Sequence, residues 1–152
     1  MKREKINWKT HILGVYLFLL LIGLGVVGMW TYLHPPKDKF IFFLLIIACS
    51  GGIGGTIYSI RSFYKNLVEG HFNFDRWIWW YIFRPVMSIV IGVFVYFLIA
   101  GGLLAIGDFS EINYSRGLMF CAAVAFLAGF SFTQFANKLD EISSTIFARK
   151  KK

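Results

Sequence analysis

At 152 residues, 57% hydrophobic and 16% charged, with a mean hydropathy of +0.63, the chain is too apolar and too sparsely charged for a water-soluble domain of its size. Sixteen Lys and Arg against eight Asp and Glu give a net charge of +8. Because apolar stretches consume most of the length, no separate basic domain remains, and this excludes nucleic acid as a partner.

Four runs, 12–33, 40–60, 86–106 and 117–136, contain no Asp, Glu, Lys, Arg or His. Each approaches or exceeds the roughly 20 apolar residues that a helix needs to cross about 30 Å of hydrocarbon. The first follows Lys2, Arg3 and Lys5 but is too long for a signal-peptide core and lacks a small-x-small cleavage site. It reads as a retained span. Within it, Gly23-Leu24-Gly25-Val26-Val27-Gly28 matches G-x-G-x-x-G literally. A nucleotide site needs that string at a strand-to-helix turn, so here it predicts close helix approach instead. His34-Pro35-Pro36-Lys37-Asp38-Lys39 then forces a hairpin into the second run.

The second run carries Ala48-Cys49-Ser50-Gly51-Gly52-Ile53-Gly54-Gly55-Thr56, with small residues on nearly every face. Two readings follow for Ser50, Gly51, Gly52, Gly54, Gly55 and Thr56. They pack against neighbouring helices, or they line a polar path through a locally broken helix, which lipid permits only where backbone faces protein or water.

Between the second and third runs, Asp75 is placed as an N-cap, its carboxylate accepting from free N–H groups. Trp77, Trp80 or Tyr81, and Arg84 follow at helical spacing on one face. The spacing predicts an interfacial helix over 75–84, an elbow at Arg84–Pro85, and Pro85 in the first turn of span three. Arg84 itself reads as a snorkelling contact to lipid phosphate, or as a fixed ion pair or cation–π contact at the elbow.

The fourth run carries its own narrow stripe, Cys121, Ala125 and Gly129. Beyond it, Phe132, Phe135, Leu139, Ile142 and Ile146 alternate three and four apart, so span four is expected to continue as a cytoplasmic helix into the tail 137–152. That seam serves self-association or packs on the protein's own loop or the membrane surface.

Thirteen of the basic residues fall in the N-terminal segment, the middle connection and the C-terminal segment, so both termini are expected in the cytoplasm. The excess charge then meets anionic headgroups. His11, His34 and His71 have no metal-ligand spacing, and no Ser/His/Asp or paired-carboxylate set can be assembled. No catalytic, cofactor-binding or metal-binding residue is therefore assigned.

Trp77-x-Trp79-Trp80-Tyr81-x-x-Arg84-Pro85, with Gly92 beyond it and Ser59-Ile60-Arg61-Ser62 closing the preceding span, resembles the W-x-x-Y-x-x-R-P run that precedes a Gly-containing span in small bacterial multi-span membrane proteins. Here three residues rather than two separate Trp77 from Tyr81. The resemblance covers residues 48–107 and implies an α-helical membrane protein, with no activity attached.

The sequence thus predicts one all-α membrane domain over 1–152. Its architecture is a four-helix transmembrane bundle with an interfacial helix before span three and a cytoplasmic extension of span four, placed in the cell (inner) membrane. The expected function is a non-enzymatic, self-associating anchor or relay module whose basic cytoplasmic face meets lipid or a protein partner. The competing expectation is a small oligomeric channel lined by span two.

Overall fold

The computed structural model describes residues 8–69, 74–101 and 114–147, and these are wholly helical apart from turns. The elements are α1 (Trp8–Leu33), α2 (Lys39–Val68), α3 (Phe74–Ala100), α4 (Tyr114–Phe130) and α5 (Phe132–Phe147). Three helices are long and apolar enough to cross a membrane, over Thr10–Leu33, Lys39–Val68 and Trp77–Ala100. Counting α4 with α5 as one bent span makes four.

The hairpin turn ends where Asp38 caps α2, its Oδ1 accepting from the Phe40 N–H at 2.9 Å. α2 is the central helix and packs against α1, α3 and α4. Its most apolar stretch is 44% buried, against 11% for that of α1, which lies at the edge. One core cluster joins α2, α3 and α4 through Phe42, Ile47, Val95, Ile99, Leu118, Cys121, Ala125 and Ala128. A second joins α1 to α3 through Leu13, Leu17 and Tyr81, with Phe63 of α2 against it.

The expected elbow is absent. α3 runs unbroken from Phe74 through Pro85 to Ala100, so 75–84 is its first part and not a separate interfacial helix. Asp75 accordingly lies inside the helix, one residue past its start, rather than at the N-cap. Its side chain lies outside the described residues. The physical reason is protein contact: Tyr81 is fully buried, meets Phe63 edge-on at 5.8 Å, and accepts a 3.0 Å hydrogen bond from Asn66 Nδ2 through its hydroxyl. α2 runs on to Val68, beyond the expected end of its span, and supplies both of those partners.

The helix expected beyond span four is present, but it does not run straight on. α4 ends at Phe130, and α5 leaves it at 103°. Ser131 forms the corner and loses no backbone bond. Its N–H donates to Leu127 at 2.8 Å, and its carbonyl accepts from Phe135 at 3.0 Å. An amphipathic helix projecting straight into water would leave its apolar stripe bare; the turn brings Phe135 back against the core.

Candidate functional site

Where α4 turns into α5, four helices converge on Arg84. Its side chain leaves α3 and is only 8% exposed. Its guanidinium carbon lies 3.8 Å from the ring centre of Tyr58 on α2, 4.7 Å from Trp80 one turn back on α3, and 5.6 Å from Phe132 at the start of α5. Tyr58 is itself held edge-on by Phe130 of α4 at 5.7 Å and touches Trp80 at 6.3 Å. Ring faces carry negative potential, so this enclosure stabilises the cation. None of the described salt bridges involves Arg84, and its buried Nε has no hydrogen-bond partner.

One turn deeper, Ser88 is fully buried and its Oγ donates to the Arg84 carbonyl at 2.9 Å. The same oxygen lies 3.4 Å from the Gly129 carbonyl of α4. Ser88 marks the start of a zone where helices touch through their backbones. A Cβ on Gly51 would stand 2.6 Å from the Ser88 carbonyl and 2.9 Å from Gly92 Cα. On Gly54 it would strike the Phe126 carbonyl, on Gly55 the Ser88 hydroxyl, and on Gly129 the Gly51 carbonyl. On Gly52 it would meet Ile89 at 2.7 Å and Leu24 at 3.0 Å. At Gly51, Gly54 and Gly129 the obstructing atoms are backbone, so nothing larger than glycine lets the helices approach so closely, whereas at Gly52 and Gly55 they are the side chains of Ile89, Leu24 and Ser88.

Three hydroxyls of α2 turn back on their own helix. Ser50 donates to the Ile46 carbonyl at 2.9 Å, Thr56 to Gly52 at 2.7 Å, and Ser59 to Gly55 at 2.9 Å. The helix is unbroken from Lys39 to Val68. Gly51, Gly52, Gly54 and Gly55 therefore sit in helix contacts, Thr56 is buried and Ser50 half-buried, and no locally broken helix exposes carbonyls along α2. Gly23 and Gly25 of α1, expected at a close approach, have nothing within 4 Å, whereas Gly28 meets Cys49 at 3.5 Å.

Of the anchor residues read from the sequence, Tyr81, Arg84 and Pro85 are buried and Trp77 and Trp80 half-buried, all on one helix. Of the seam on α5, Phe132 faces Arg84 and Phe135 the core, while Leu139 and Ile142 are half-buried. The Ile146 side chain lies outside the described residues. Sequence reasoning missed Tyr58 and Phe132 as partners of Arg84; counting residues inward from the end of spans two and four and the start of span three was the signal that would have set them at similar depth. Cys49 and Cys121 are free, buried thiols. No family model, curated protein or solved structure matches the chain, so its functional reading rests on this geometry.

Proposed function

We propose that the chain is a non-enzymatic multi-pass membrane protein, a rigid, self-associating module that anchors or relays through its basic cytoplasmic face. The observation that carries this reading is the enclosure of α2. Its narrow faces are occupied by the backbones or side chains of three neighbours, and its Ser50, Thr56 and Ser59 hydroxyls are satisfied within the helix. A pore lined by span two would need that surface free in each protomer. What remains for work is the end where Arg84, the α4–α5 corner and the polar face of α5 lie together.

In this reading α5 lies along the headgroup layer, with Leu139 and Ile142 toward lipid and Lys138, Asp140 and Glu141 toward water. Lys138 and Glu141 pair on that exposed side. The uncovered face of α1 and the half-covered stripe of α5 are what the protomer offers to a second copy. The test is ion flux from purified protein in liposomes. The expected result is a leak equal to that of protein-free vesicles; a conductance that scales with protein content overturns the module and favours a channel.

A further inference from the structure

Among the described residues, Arg84 has ring faces around it and no acceptor for its N–H groups. Cation–π attraction acts on the charge of the guanidinium and satisfies none of its five donors. Nε is fully enclosed. The two terminal nitrogens are not: they keep contact with the accessible surface, and no described hydrogen bond or ion pair reaches them. Counted along their own helices, Asp75 stands about 13 Å before Arg84 and Asp140 about 12 Å beyond Phe132. Glu141, one residue further, is paired with Lys138.

Depth decides which acceptor the fork meets. Tyr58, whose ring the guanidinium covers, lies about 30 Å along α2 from the charged turn at Asp38, which is the thickness of the hydrocarbon layer. With that turn at one surface, Tyr58 and Arg84 stand at the opposite boundary, where lipid phosphates lie. Arg61, exposed about one turn further along α2, adds a second positive charge on the same side. We infer that the terminal nitrogens of Arg84 hold one phosphate group, that of a phospholipid seated against the α4–α5 corner, with Arg61 at its outer side. The planar fork suits two phosphate oxygens at once. Its rings fix it before the lipid arrives, unlike a snorkelling arginine on an open helix face. The inference needs only that α2 and α3 cross a bilayer. It does not depend on the anchor or relay role, and liposome leak leaves it untouched.

The experiment is native mass spectrometry of the delipidated full chain in detergent, offered an equimolar mixture of phosphatidylglycerol and diacylglycerol with identical acyl chains. The expected result is one retained phosphatidylglycerol per chain, not displaced by excess inorganic phosphate. Arg84→Met keeps most of the stem's bulk, removes the donors and lowers retention about tenfold or more, the effect of a charge-assisted hydrogen bond. Arg61→Ala lowers it roughly fivefold, the effect of one basic residue near an anionic headgroup. Lys37→Ala, at the other end of α2, leaves it unchanged. Equal retention of the two lipids, or none of either, overturns the site, and so does unchanged retention in Arg84→Met. Displacement by inorganic phosphate overturns the lipid as the source and assigns the site to the free ion. The comparison of the two lipids uses the unaltered chain, so it decides even if Arg84→Met fails to fold.

Discussion

A desolvated guanidinium against aromatic faces gains about 2 kcal/mol or more, while an Nε without an acceptor costs about 1–3 kcal/mol. For Arg84 the two nearly cancel, so the aliphatic stem decides the sign, at about 0.8 kcal/mol for each buried CH₂. Arg84→Ala is therefore expected to lose about 1–2 kcal/mol, or some 3–6 °C of melting temperature in detergent. Lys65 is 70% exposed and stands 3.9 Å from Glu69. An exposed pair of that kind contributes little, and Lys65→Ala should stay within about 1 °C of the parent. Equal melting curves for the two would remove any special role for Arg84. The same series separates two glycines. Gly54→Ala drives a methyl into the α4 backbone and costs about 1–3 kcal/mol. Gly25→Ala meets open space and gains up to about 1 kcal/mol from helix propensity.

Sequence patterning assigned the interfacial place to 75–84, and the structure makes that segment part of α3. The segment 75–84 is rich in indole and lacks interior charge, which suits an interfacial helix, yet Tyr81, Phe63 and Asn66 bind it to α2. Proline at position 85 removes one backbone bond, a loss that a continuous helix tolerates when its neighbours hold both sides. α5 has the cleaner division into apolar and polar faces, and α5 is the helix that turns away. An environment-sensitive fluorophore on single cysteines, in a background lacking Cys49 and Cys121, tests its placement. In liposomes the emission at position 142 is expected to be blue-shifted relative to position 143. Matching spectra would mean that α5 does not rest on lipid.

Across the whole molecule, backbone contact replaces the hydrophobic drive that lipid does not supply. That is why α2, the helix with the most buried glycines, sits at the centre, and why α1, whose Gly23 and Gly25 face open space, sits at the edge. Glycine content alone does not distinguish these cases, since both helices carry closely spaced small residues. The charge asymmetry favours cytoplasmic termini, and tags on the first and last residues should be recovered from one side of the membrane. Opposite sides would require an odd number of crossings.

The helical class and the presence of apolar helices long enough to cross a membrane were legible because length and the absence of charge are local properties that bilayer thickness converts directly into structure, although the third such helix spans Trp77–Ala100 rather than 86–106. The glycine contacts of α2 were legible as a need for close packing, though not as to which glycine meets which neighbour. Tertiary structure alone decided that Pro85 interrupts nothing, that Ser131 is a corner, and that Tyr58 and Phe132 close around Arg84. Each depends on side chains from different helices meeting at one depth, and helical periodicity describes the faces of a single helix without naming what those faces meet.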